Sequence, residues 1–465
     1  MKKVLIALVV LLFSVSVYAE SRLDLSGQLR VRGKSYDNFA DWNDDDDSDK
    51  QNYFDQRLRI YGKVNVAEGI SVHLRFDFAE EKWGTQGSHS DDGDIDQDRA
   101  FIQIDKDMYR LRAGRQLFAL GNAIAVDLNG VGFLATLKTP VALTLGYVKV
   151  SEGNGLSDES DLGSEDITVY VANANYKNEF INVNGFFGYE DGGDYNYDKG
   201  LYYVNDDDER VYPNVVGYTE YGNEIFSEDV SGKGDLKNEP GTSNGEYNRW
   251  VLGLQADGKV GLLGYNLEFN HFSGEIDDED MDYVGDQFYG DIYGNIGIFK
   301  VGAELFYAMG TDDENETQIT NLGGEYGLWD DFVPMGGFAD TDVMDLAFAS
   351  DYENHGVFRL GEDAGSVGAV PYVQVTPIDK LTLGAHVGYF EPEEDSVTNL
   401  DSVMVAVLTA DYKLYDNVGL RGHFAYVSPD VNSADANGPQ DFYDENGEKS
   451  DDEAMGFFGK LYVNF

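Results

Sequence analysis

Ile70-Ser71-Val72-His73-Leu74-Arg75-Phe76-Asp77-Phe78 sets an apolar side chain at every even position and a polar or charged one at every odd position. A period of two is that of a β-strand, whose successive side chains point to opposite faces. One face of this strand is greasy and the other wet. Its alternation persists for nine residues, the length that carries a tilted strand across a bilayer.

The same rhythm runs outward in both directions. Upstream, a tight Ala67-Glu68-Gly69 turn joins this strand to Asp55–Val64, and an acidic stretch Asp41–Asp49 separates that from Leu23–Arg32. Downstream, a polar loop leads to Arg99–Asp105, a Lys106-Asp107 turn and Tyr109–Gly114. Short connections recur at Thr139-Pro140, Lys177-Asn178-Glu179, Gly261-Leu262-Leu263, Pro377-Ile378-Asp379 and Tyr415-Asp416-Asn417. Long polar ones cover 191–246, 309–366 and 428–453. One opening strand, eight short-turn hairpins and one closing strand make about 18 antiparallel strands. The segments least defined by pattern are the strand starting at Gly132 and the stretch 340–362. There Asp342–Ala349 adds or replaces a strand in an alternative reading, which leaves 16 or 20 open.

The two ends of the chain fit this scheme. Lys2 and Lys3 precede an apolar run from Val4 to Val17, and Val17-Tyr18-Ala19 precedes Glu20. A charged start, a short apolar core and small residues before a break are the layout of a cleaved secretory signal peptide. Residues 1–19 are therefore expected to be removed, leaving 20–465 as one domain. The run is shorter than a membrane-spanning helix needs, and no second one follows. Membrane insertion must then use strands. At the other end, Met455–Phe465 again alternates, with Leu461, Val463 and Phe465 on one face and Lys460 and Asn464 on the other.

Hydrocarbon offers backbone amides no partners, so a sheet that spans it must close to remove its edges. The expected fold is all-β: a transmembrane, antiparallel, up-and-down β-barrel with short periplasmic turns and long acidic extracellular loops. The competing sandwich would have shorter strands, of about 5–6 residues. An even strand number places both termini on the short-turn side, which in bacterial barrels is the periplasm. The expected location is the outer membrane of a Gram-negative cell, among its lipid and lipopolysaccharide.

Composition sets further limits. The chain has 86 acidic and 33 basic residues, a formal charge of −53, and no cysteine. Disulfides, thiolate metal sites and covalent haem attachment are thereby excluded. So large a negative charge repels nucleic acid and attracts cations. The 31 Tyr and 27 Phe suit aromatic girdles where lipid meets water. Six scattered histidines show no metal-ligand spacing, and no nucleophile elbow or phosphate loop is present. No enzymatic activity, metal or cofactor is expected.

A channel works through its lumen, so the polar strand faces come first. Arg30, Arg32, Arg57, Arg59, Arg75, Arg99, Arg110 and Arg112 all sit on such faces, and ten of the 14 arginines precede residue 116. Adjacent strands would stack these guanidiniums on one wall, with Asp24, Asp55, Asp77 and Asp105 as neighbours. Permanently charged, fork-shaped Arg suits such a wall better than Lys. The wall either sets a field across the pore that orients solutes or simply neutralises nearby carboxylates. These two readings are compatible.

The terminal stretch Met455–Phe465 looks like the closing strand of outer-membrane porins, and the resemblance implies that barrel-insertion machinery reads Phe465. A second likeness lies at Ala113-Gly114-Arg115-Gln116-Leu117-Phe118-Ala119-Leu120-Gly121-Asn122 and Asp127-Leu128-Asn129-Gly130-Val131. It resembles the Gly-Arg-Gln segment and following Asp-x-x-Gly-Val of porins related to the alginate-export family. Alternation breaks at Arg115, and glycines permit bends. The resemblance implies that this segment folds into the lumen, with Arg115, Gln116, Asp127 and Asn129 at a constriction. The alternative is an ordinary strand end and loop. Strongly acidic loops depart from what alginate export favours, so that substrate is not carried over. Porins are commonly trimers, which leaves a homotrimer open.

Acid runs at Asp44–Asp47, Asp206–Glu209, Asp277–Asp280, Asp312–Glu314 and Glu393–Asp395 lie in outward loops. They are expected to collect divalent cations diffusely, since Asp92-Gly93-Asp94-Ile95-Asp96-Gln97 lacks the glycine of a calcium-binding loop. The function expected is passive diffusion of ions and small hydrophilic solutes, with cations enriched at the outer mouth. Two other classes remain at this point. One is a barrel sheath around a partner cytochrome's electron conduit; the other is a surface adhesion or cation-binding protein.

Overall fold

A computed structural model of the chain describes residues 22–38, 50–83, 96–151, 167–192, 247–276, 281–313, 315–322, 360, 363–432 and 452–465, with short strand segments between 195 and 244. The segment 1–19, the stretch Asp342–Ala349 and the acid runs at 44–47, 206–209 and 277–280 lie outside the described residues.

Eighteen long strands form one sheet. They are β1 (Leu23–Asp37), β2 (Gln51–Ala67), β3 (Ile70–Lys82), β4 (Asp96–Asp105), β5 (Tyr109–Leu120), β6 (Val126–Leu137), β7 (Val141–Ser151), β8 (Ile167–Lys177) and β9 (Ile181–Gly192). The second half comprises β10 (Tyr247–Val260), β11 (Leu263–Ile276), β12 (Met281–Ile296), β13 (Phe299–Ala308), β14 (Ser366–Ile378), β15 (Leu381–Glu391), β16 (Leu400–Tyr415), β17 (Val418–Val431) and β18 (Ala454–Asn464). Each pairs antiparallel with its sequence neighbour, and β1 pairs with β18 from Gln28↔Asn464 to Asp37↔Met455. The sheet is therefore a closed barrel, and closure leaves no edge strand.

Alternation decides which face is which. Phe133 and Leu145 are about two-thirds exposed, at 64% and 65%, and Leu25, Leu29, Ile102, Leu111 and Leu461 also face outward. Their strand neighbours of opposite parity, such as Arg30, Arg32 and Arg75, are buried. An apolar exterior around a polar interior is the signature of a barrel in lipid.

The start of β1 and Phe465 lie at the short-turn rim. Gly27 and Phe465 exchange backbone hydrogen bonds of 2.8 and 3.0 Å, so the terminal residue continues the β1–β18 ladder. A Cβ on Gly27 would lie 2.5 Å from the Phe465 ring and 2.7 Å from the Arg59 carbonyl oxygen. Only glycine leaves room there for both the ring and the neighbouring strand. Gly27→Val is thus expected to displace Phe465 and loosen closure. The fraction of barrel that runs compact on an unheated gel should fall clearly below wild type.

One hairpin departs from the wall. Pairing of β4 with β5 runs from Asp105↔Arg110 to Ala100↔Arg115 and stops; pairing of β6 with β7 stops at Val131↔Lys149. Yet β5 and β6 stay paired up to Leu120↔Val126. The outer part of the hairpin, 116–130, has left both neighbours. The sixth strand accordingly begins at Val126, six residues before the start expected from its pattern. Gly114, at φ +125°, marks the departure on β5, in a region that side-chain-bearing residues avoid. On β6, a Cβ at Gly130 would stand 2.9 Å from the Lys149 carbonyl oxygen.

A candidate pore constriction

The released hairpin crosses into the lumen. Phe118, Leu120, Val126 and Leu128, all on one face, are buried against Val148, Val169, Val171, Phe186, Val251 and Phe272. Those partners lie on the inward faces of β7 to β11. Burial of apolar surface, about 25 cal/mol per Å², is what holds the hairpin against a wall it does not belong to. Its turn reaches β11: the Asn122 backbone N–H donates to Glu268 Oε2 at 2.5 Å, and the Asn122 and Asn266 side-chain amides bond reciprocally at 2.9 and 3.2 Å.

A second inward segment backs the first. The short strand Glu316–Gln318 pairs parallel with β12 at Asp282–Val284, and Leu322 N–H donates to the Ala125 carbonyl at 2.9 Å. Gln287 on β12 donates to the Thr320 carbonyl at 2.8 Å. Nothing in the sequence pattern of the long 309–366 connection marks this segment, because it neither alternates nor spans the membrane.

Below the hairpin's turn, amide side chains link strand to strand around the lumen. Asn175 of β8 donates to Asn184 of β9 at 2.6 Å, Asn184 donates to Gln255 of β10 at 2.6 Å, and Gln255 donates to Asn266 of β11 at 3.0 Å. Asn266 then meets Asn122. Asn and Gln at alternate positions of adjacent strands were the signal that could have revealed this belt. Each amide both donates and accepts, so such a chain satisfies itself.

All eight arginines of the expected wall are on inward-facing positions. Arg30, Arg32 and Arg75 are buried, while Arg57, Arg59, Arg99, Arg110 and Arg112 are partly exposed. Several are paired. Arg32 Nε donates to Asp55 at 2.6 Å, Arg59 Nε to Asp77 at 2.7 Å and Arg110 to Asp105 at 2.9 Å; Arg75 contacts Asp98. Arg112 Nε instead donates to neutral Gln103 at 2.9 Å. Two arginine pairs stand directly opposite one another in register, Arg30↔Arg57 and Arg75↔Arg99. Like charges placed so are destabilising; at the second pair Asp98 lies between them, touching Arg75 and 3.8 Å from Arg99. Lys460 of β18 adds a further cation within electrostatic reach of Arg30, Arg32 and Arg57.

The released hairpin's free face carries Asp127 and Asn129, opposite in parity to the docked face, whereas Arg115 is still paired with Ala100 and Val131 in the wall. Asp127 is close enough to Arg99 to interact with it electrostatically. Gln116 is placed differently: it belongs to the docked face, is 1% exposed, and donates weakly to the Gly132 carbonyl at 3.4 Å. Two of the four residues singled out for a constriction therefore lie on the free face, Arg115 holds the last wall position of β5, and Gln116 is under the hairpin rather than on it. Of the acid runs, Asp312, Asp313 and Glu393–Asp395 are among the described residues and lie at the outer loops. Glu393 caps the Gly310 N–H at 2.8 Å.

Comparisons with known proteins place this geometry. Residues 5–432 match a family model described as Gram-negative porin. No curated protein matches the chain. Among solved structures, OccK8 (OprE) of Pseudomonas aeruginosa is similar with a TM-score of 0.51 at 12% identity, covering 95% of this chain and 98% of that one. OccAB3 of Acinetobacter baumannii gives 0.49 at 12% identity, with 95% and 100% covered. An anion-selective porin from Comamonas acidovorans gives 0.43 at 10% identity, with 96% and 100% covered.

Proposed function

Because the chain belongs to the Gram-negative porin family, we propose that its inward hairpin and its arginine wall together form the selective part of a diffusion channel. The protein is an outer-membrane channel for small solutes, not an enzyme. The single observation that carries the finer reading is the placement of Asp127, on the hairpin's free face, within electrostatic reach of Arg99. Opposite charges on facing sides of a pore set up a transverse field, which aligns dipolar solutes as they pass.

Charge is distributed in two stages along the path. The acidic outer loops enrich cations at the mouth, screened over about 8 Å at physiological salt. Deeper in, eight inward arginines and Lys460 are gathered on neighbouring strands, so anionic groups are favoured beside the wall. A solute carrying both charges would satisfy both stages. Divalent cations gather diffusely at the loops and bridge to lipopolysaccharide. Residues 1–19 direct export and are removed, 20–465 form one barrel domain, and insertion machinery recognises Phe465. A homotrimer is the assembly in keeping with the family. A lumen crossed by its own hairpin makes a poor sheath for a partner cytochrome.

Single-channel recording on the purified, heat-modifiable barrel tests this reading. Discrete conductance steps, blocked progressively by sugars of increasing size, are expected. A folded barrel that never conducts would overturn the channel, and anion preference in a dilute salt gradient would overturn cation enrichment at the mouth.

A further inference from the structure

The hairpin is held by two kinds of contact, and they do different things. Its apolar face is non-directional and would tolerate sliding along the wall. The contacts of its turn are directional. Asn122 offers its backbone N–H to Glu268 at 2.5 Å and exchanges amide hydrogen bonds with Asn266. Gly121 lies so near that a Cβ there would stand 2.5 Å from Glu268 Oε2.

Glu268 is an odd residue for this wall. It is 1% exposed, and its hydrogen bonds come from neutral groups, the Asn122 N–H and the Asn270 amide at 3.1 Å. Burying a carboxylate is costly unless its oxygens are bonded. With the hairpin lifted, Glu268 would regain water and lose the turn. Docking therefore trades hydration for directional bonds, a balance that one side chain can tip.

We propose that Glu268 and Asn266 are positioning residues: they latch the turn of the inward hairpin and so set the opening between its free face and the arginine wall. Asn266 is itself fixed by Gln255 at 3.0 Å, so the amide belt makes the latch rigid. This rests on the channel reading above, in which the hairpin obstructs the pore.

The test records single channels of wild type, Glu268→Ala, Glu268→Gln and Asn266→Ala, all as full-length, heat-modifiable barrels. Glu268→Ala and Asn266→Ala should widen the distribution of open-channel currents at least about twofold, as expected when a pore-lining element loses its support. Glu268→Gln keeps an acceptor and the volume, and should restore most of the wild-type trace. Thr144→Ala removes a 3.0 Å bond to Thr136 on the same wall but away from the turn, and should change nothing.

Should Glu268→Ala fail to fold, the pair Asn122→Cys and Asn266→Cys serves instead, since the chain has no other cysteine. Current noise should be high before, and fall to wild type after, treatment with a short bifunctional thiol reagent. Traces of the alanine variants indistinguishable from wild type, or a cysteine pair unaffected by bridging, would overturn the latch while leaving the channel intact. A wild-type barrel without conductance would overturn the channel reading itself.

Discussion

The Arg99→Gln/Arg112→Gln double variant is expected to shift permeability toward cations by about threefold or more, the size of effect that charged rings exert in narrow aqueous pores. Neither change strands a buried carboxylate. Arg112 donates to Gln103, and a glutamine can keep an amide pair there. Arg99 stands 3.8 Å from Asp98, which retains its contact with Arg75. Removing Arg99 also relieves the like-charge pair Arg75↔Arg99, so the barrel should fold at least as well. Asp127→Asn should move selectivity the other way, by a smaller amount. Reversal potentials in a potassium chloride gradient measure both. The shifts should shrink at 1 M salt, where screening acts within about 3 Å. An unchanged permeability ratio in a folded double variant would remove the wall from selectivity.

Why the wall could be read from sequence, and the hairpin's docking only in part, has a physical basis. Lipid imposes strict alternation on each spanning strand, so the parity of Ile70–Phe78 carries over to Arg30, Arg57 and Arg112 without tertiary knowledge. Parity counting also flagged Arg115, where the ladder to β4 ends. It could not say which face of the hairpin would be covered, because that depends on wall strands as many as six positions away. The porin resemblance puts Gln116 at the opening, yet it shares the buried face with Phe118 and Leu120. Val148, Val169 and Phe186 gave the missing clue. They are apolar residues at inward positions, where a water-filled barrel would place polar ones, and something had to cover them. The segment Glu316–Gln318 had no such marker, since a short parallel strand inside a lumen obeys no membrane period.

Excising Leu117–Asn129 and joining Gln116 to Gly130 through an Asn-Gly turn should produce the largest change in conduction. Gln116 and Gly130 face each other in register, so a two-residue turn closes the shortened hairpin without a register shift. The wall itself is untouched. The ladders that tie β5 to β4 and β6 to β7 end at Arg115 and Val131. What is lost is the obstruction, together with the apolar face that covers Val148, Val169, Val171, Phe186, Val251 and Phe272. Re-exposing such side chains costs about 1.5–3 kcal/mol each at full exposure, so the unfolding temperature should drop while closure through β1 and β18 survives. Phe118→Ala, at a 2% exposed position, isolates the docking term and should weaken it by about 3–5 kcal/mol. Conductance of the excised form should rise several-fold, in the manner of a pore relieved of its selectivity element. The largest polymer able to enter should grow with it, and Phe118→Ala should fall between this form and wild type. A heat-modifiable excised barrel with wild-type conductance would mean that the limiting passage lies elsewhere, and the field between Asp127 and Arg99 would then act beside the path of the solute rather than across it.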